Sequence, residues 1–156
     1  MTHDFKKYPE LTNRQMQLYY FESPHKQINE DFRATVVKVS DGDTIRVKCD
    51  FRDFNFPIRF IDVAAPEMDE RGGEEARDWL ASKILGEEVD IIINPKNRVG
   101  KWGRLLGQVF HRGMDLGEEE INKGLAVSWE DRILNTMPNF MAELEEHGNT
   151  KSIPKI

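Results

Sequence analysis

Three short clusters of charged residues carry the chemistry this sequence could perform: Asp41-Gly42-Asp43-Thr44, then Arg59 with Pro66-Glu67 following, then Lys101-Trp102-Gly103-Arg104 with Arg98 just ahead of it. Two aspartates held on one turn could offer oxygen ligands to a hard cation. Arginine carries a planar fork that binds the oxygens of a phosphate or carboxylate bidentately, a geometry lysine lacks. Glu67 directly follows a proline, so its carboxylate would sit on a rigid turn, suited to holding and deprotonating a water. Lys101, Trp102 and Arg98 together offer positive charge and one aromatic face, the components that hold a single nucleic-acid strand.

Each cluster alone has a plainer reading. Asp-Gly-Asp-Thr is good hairpin-turn chemistry. It is not an EF-hand, because twelve-residue loops begun at Asp41 or Asp43 would end in Arg52 or Phe54 where glutamate is required. Arg59, among apolar neighbours, could be a buried arginine paired with Asp62 or Glu67. Arg98, Lys101 and Arg104 could be a solvated charged loop.

Taken in order and spacing, the three clusters resemble the staphylococcal-nuclease-like (thermonuclease) family over roughly Ala34 to Trp129, with Gly124-Leu125-Ala126 adding to the match. The resemblance implies an OB-type barrel and hydrolysis of DNA or RNA, with single strands preferred and 3′-phosphates left on the products. It also implies a catalytic set of Arg59, Glu67 and Arg104. Both arginines would clamp the phosphate, and Glu67 would orient or deprotonate the attacking water. These roles agree with what the residue types can do, since a phosphodiester gathers negative charge on its equatorial oxygens as it reacts.

The resemblance further implies a divalent cation, calcium first and magnesium or manganese as alternatives, held by Asp43 and the backbone carbonyl of Ala65. Here the sequence departs from the pattern. The family places an aspartate three residues before the motif's glutamate, and this chain has Ala64. Asp62 lies two residues earlier, about 7 Å away along a regular strand, and would need a bulge to take part. Asp41 could reach the ion through a bridging water. Fewer anionic ligands mean weaker affinity. The alternative function is therefore a weak or inactive nuclease-like domain that binds nucleic acid or a protein partner.

The elements that must position these residues can be read from pattern. Alternation of Val37, Val39, Ile45 and Val47 around Asp41-Gly42-Asp43 predicts two strands and a tight turn. Phe56 to Val63 predicts a third strand, ending before Ala65-Pro66. Gly72-Gly73, Glu74 and Glu75 open an amphipathic helix that runs to Gly86, with Trp79 on its core face. Val89 to Ile93 and Leu105 to Phe110 supply strands four and five across a turn from Asn94 to Gly103. Gly117 to Leu125, opened by Glu118-Glu119-Glu120, predicts a second helix, and Pro138 to Gly148 a third. In the lead, Thr12 and Gln15 form a capping-box pattern ahead of Met16, Tyr19 and Tyr20.

The expected class is α+β, mainly β: a five-stranded OB-type barrel with about three helices. Residues 1–31 read as an extension with a short helix, 32–130 as the barrel domain, and 131–156 as a helical tail. A length of 156 residues suits one domain. The formal charge of −6 excludes binding nucleic acid through overall positive charge and requires a local basic patch. The single cysteine, Cys49, can form no internal disulfide and reads as a strand residue. His3, His25, His111 and His147 lack zinc-site spacing. With no apolar run long enough for a membrane span or signal core, a cytoplasmic setting is expected.

Overall fold

A computed structural model describes residues 3–100 and 103–136. The turn at Asp41-Gly42-Asp43 joins β1 (Phe32–Asp41) to β2 (Thr44–Cys49), and β2 pairs with β3 (Arg52–Phe60), all antiparallel. On its other edge β1 pairs with β5 (Glu88–Ile92), which pairs with β6 (Leu105–His111). A parallel contact of Ile58–Phe60 with Leu105–Gly107 then closes the five long strands into a barrel. Closure removes the exposed edges an open sheet would present. The interior is filled by Val36, Ile45, Val47, Phe56, Ile58, Ile91, Leu105 and Val109, all nearly inaccessible to solvent.

Four α-helices lie outside the barrel among the described residues. Helix α1 (Asn13–Tyr19) begins with the expected capping box, Thr12 and Gln15 exchanging hydrogen bonds. Helix α2 (Gly73–Ile84) buries Ala76, Leu80 and Ile84, while Trp79 is only half-buried beneath the Lys83 ammonium. Helix α3 (Leu116–Asn122) is N-capped by Asp115. Helix α4 (Trp129–Thr136) spans the end of the expected barrel domain and the start of the expected helical tail. The helix expected over Pro138 to Gly148 lies outside the described residues.

Three local readings change. A bulge between Val36 and Lys38 shifts the alternation, so Val36 and Val39 face the core and Val37 is exposed. The third strand runs from Arg52 to Phe60, not Phe56 to Val63, because Asp62 takes a left-handed backbone (φ 62°) that breaks it. The chain resumes as β4 (Val63–Ala64), paired with β8 (Val127–Ser128), while the short β7 (Met114–Asp115) extends the sheet at β6. Cys49 is half-buried at the end of β2, and burial pushes its thiol up, as befits a structural residue.

Candidate active site

The site is built where the β1–β2 turn meets the chain leaving β3. Gly42 allows that meeting: a Cβ there would come within 2.6 Å of the Ala65 methyl and 2.8 Å of the Ala76 methyl. The Asp41 carboxylate closes the turn by accepting the Asp43 N–H at 3.0 Å. Asp43 is buried. Its Oδ2 accepts the Ala65 N–H at 2.9 Å and faces Arg59 Nη2 at 3.2 Å, and its Oδ1 accepts the Thr44 hydroxyl at 3.1 Å. Burial pushes its carboxyl up to about 7, helped by the Asp41 side chain and opposed by Arg59.

Arg59 reaches the same place from the end of β3. Its Nη1 donates to the carbonyls of Phe60 (2.9 Å) and Val63 (2.8 Å), which ties down the left-handed turn at Asp62. With Nη2 facing Asp43, both terminal nitrogens of the fork are engaged by the protein. Its guanidinium lies 5.7 Å from the centroid of the Trp129 ring at the start of α4.

One cavity of about 880 Å³ is lined by Asp41, Asp43, Arg59, Asp62, Ala65, Glu67 and Arg104. The structure thus brings together the two arginines and the glutamate predicted from widely separated stretches of chain. Arg104 precedes β6, and its Nε is buried with no hydrogen-bond partner among the described residues. An unpaired buried guanidinium N–H is costly. Glu67 is exposed. Its loop is held by Glu70, whose Oε1 accepts the Glu67 N–H at 2.8 Å and pairs with Arg132 Nη2 of α4 at 3.0 Å. The Glu67 backbone hydrogen bond, and after it Arg132, hold the Glu70 carboxyl below its ordinary range.

Other predicted residues fall elsewhere. Arg98 is not on the cavity surface: it is buried, with its Nη2 3.1 Å from Glu10 Oε2 of the N-terminal lead. Lys101 and Trp102 lie outside the described residues. Asp62 is exposed at the cavity rim, and its carbonyl accepts the Trp129 N–H at 2.9 Å. Ala65 engages Asp43 through its amide.

The family-implied cation finds a poor donor set in this arrangement. Both Asp43 oxygens already accept protein hydrogens, Asp41 is turned to its own loop, and Ala64 presents a methyl. Among the described residues no three His, Cys, Asp or Glu side chains converge closely enough to hold a metal. A calcium ion requires six to eight oxygen ligands, so these residues do not fit one as they stand.

The sequence reading missed Glu120 and Arg132. Glu120 is fully buried on α3 and its Oε2 lies behind Gly42, 3.1 Å from where a Cβ would be. Neither of its carboxyl oxygens has a hydrogen-bond partner among the described residues. Burial, then the charges of Asp43 and Asp41, push its carboxyl up to about 9. Its spacing of four from Leu116 on the buried face of α3 was the available signal.

A family model described as staphylococcal nuclease homologue matches residues 57–151, more than half of the chain and a span that includes Arg59, Glu67 and Arg104. The chain belongs to the staphylococcal nuclease family. It is 36% identical over 80 residues to a micrococcal nuclease of Shigella flexneri, covering 51% of this chain and 43% of that protein. It is 32% identical over 109 residues to an uncharacterized endonuclease of Escherichia coli O157:H7, covering 69% of this chain and 67% of that protein. The chain therefore spans less than half the length of the micrococcal nuclease. The staphylococcal nuclease match begins after the Asp41-Gly42-Asp43 turn, so that turn's membership rests on its packing against Ala65. Among the described residues no helix is long and apolar enough to cross a membrane.

Proposed function

We propose that this chain hydrolyses phosphodiester bonds of DNA or RNA in the cavity between Arg59, Glu67 and Arg104. The observation that carries the reading is the convergence of Arg59, Glu67 and Arg104, far apart in the chain, on the wall of one cavity. A phosphate seated there would receive hydrogens from both guanidinium groups. Their charge would grow in value as the phosphorus takes a fifth oxygen. Glu67 accepts a proton from water as the water oxygen bonds to phosphorus, and the bond from phosphorus to the 5′-oxygen breaks with that oxygen taking a proton from solvent, leaving a 3′-phosphate and a 5′-hydroxyl. Asp43 holds the Arg59 fork in place. Trp129, about half exposed at the rim, offers a face on which an unpaired base could stack, which favours single strands. No step is assigned to a metal, because the donor set does not fit one.

A second reading is supported by the same donor set. An Asp43 half-neutralised near pH 7 and an alanine at position 64 suit a domain that binds nucleic acid but turns it over slowly. The two separate in one experiment. Purified chain and its Glu67→Gln variant are incubated with single-stranded DNA, duplex DNA and RNA, in calcium, magnesium, manganese or chelator. Cleavage that the variant lacks supports hydrolysis, whereas binding without cleavage under every condition supports the binding module.

A further inference from the structure

Arg98 was expected at the nucleic-acid surface, and the residue that captures it instead is Glu10 of the N-terminal lead. Glu10 is 1% exposed, and its two oxygens face two arginines: Arg98 Nη2 at 3.1 Å and Arg52 Nη2 of β3 at 2.5 Å. Arg52 also donates to the Lys26 carbonyl at 2.7 Å, and its guanidinium lies over the rings of Phe54 and Phe56. Arg98 donates to the carbonyls of Ile28 (2.6 Å) and Leu11 (2.8 Å). Both ends of the lead thus converge on one side chain of the loop between β5 and β6.

That loop is the wall of the cavity. The Arg98 carbonyl accepts the Leu106 N–H at 2.8 Å, the Arg104 carbonyl accepts the Gly100 N–H at 2.8 Å, and Asn97, Gly100 and Arg104 line the cavity. The lead touches the loop at two further points. Asn13 Nδ2 donates to the Pro95 carbonyl at 2.9 Å, and Tyr8 packs on Gly103, where a Cβ would lie 2.9 Å from the ring. A Pro- and Gly-bearing loop of this length loses much conformational entropy when ordered and needs such anchors.

We infer that the N-terminal lead is a clamp on the active site: Glu10, Arg98 and Tyr8 are positioning residues that hold the Arg104 wall against the barrel. Glu10 is the shared counter-ion that references the loop to β3 through Arg52. The catalytic part of this inference rests on the proposed hydrolysis, whereas its structural part does not.

The test uses the full chain with Glu10→Gln, which breaks the buried pair, and Tyr8→Ala, a milder change at Gly103 with Tyr8→Phe as its conservative rescue. Amide hydrogen exchange is followed by mass spectrometry, and single-stranded DNA cleavage is measured in the native and Arg104→Ala backgrounds. Expected are faster exchange, by about tenfold or more, in residues 97–100 and 103–106 with β1, β2 and α2 unchanged. Turnover should also fall by about tenfold with little change in KM, a loss that shrinks to about twofold or less once Arg104 is already alanine. Tyr8→Phe should restore both. Unchanged exchange in the loop, a uniform rise across the barrel, or a loss that multiplies undiminished onto Arg104→Ala would overturn the clamp. If the native chain cleaves nothing, the hydrolysis reading fails, and the exchange pattern decides the clamp by itself.

Discussion

Replacing Glu120 with glutamine should make the protein more stable at neutral and alkaline pH and should remove part of its pH dependence. The folded protein holds the Glu120 proton up to about pH 9, whereas the unfolded chain releases it near the ordinary glutamate value of 4.5. Between those limits the folded state binds more protons, so the cost grows as pH rises: stability is intact below about pH 4.5 and is lost progressively toward pH 9. The loss is about 1.4 kcal/mol per pH unit, so roughly 3 kcal/mol at pH 7 and more at pH 8. Asp43, also pushed up, to about 7, adds a second fall between about pH 4 and pH 7 in both proteins. Glutamine keeps the shape without the ionisation, so Glu120→Gln should be stabilised by about 4–5 kcal/mol at pH 8 and little changed at pH 5. Urea unfolding at pH 5, 6, 7 and 8 in the presence of chelator reads this as a shift in midpoint at constant slope. A variant with the same pH slope as the native protein, or one less stable at pH 8, would refute the argument that this carboxyl sits unpaired behind the Asp41–Asp43 turn.

Arg104→Ala should lower turnover by about two orders of magnitude or more with little effect on stability, since its buried Nε makes no hydrogen bond among the described residues; urea midpoints and single-turnover rates check both halves. Arg59→Ala should lower turnover similarly but also cost about 2–4 kcal/mol, because it frees the Phe60 and Val63 carbonyls and leaves Asp43 without its counter-charge. Ala64→Asp should destabilise the chain in chelator, since position 64 is 3% exposed, and should create a melting temperature that rises with calcium. Titration calorimetry that finds equal calcium affinity in native and variant proteins would show that other groups already complete the site.

The barrel was legible because apolar alternation and turn residues act locally. The capping box at Thr12, the turn at Asp41-Gly42-Asp43 and the helix after Gly72 each declare themselves within a few residues. What escaped depends on tertiary partners. The bulge at Val36–Lys38 is a property of the β1–β2 pairing, so period alone placed Val37 on the wrong face. The break at Asp62 is stabilised by Arg59, and an aspartate in a left-handed turn leaves little trace in a hydrophobic pattern. Arg98 looked like every other solvated arginine of a charged loop until Glu10, distant in sequence, was found beside it. At the site, the family resemblance pointed to Arg59, Glu67 and Arg104, and these three line one cavity. The Glu120 carboxyl was hidden in an acidic run that otherwise behaves as a helix start.

Single-turnover cleavage of a labelled single-stranded oligonucleotide in ¹⁸O-water, by the native protein and by Glu67→Gln, tests the central claim most directly. The native protein should place one solvent oxygen in a 3′-phosphate. The variant should bind the strand as tightly yet cleave it about a hundredfold or more slowly, because only proton acceptance from water is lost. Cleavage by Glu67→Gln at the native rate would contradict the account, as would a solvent oxygen found in a 5′-phosphate on the downstream fragment.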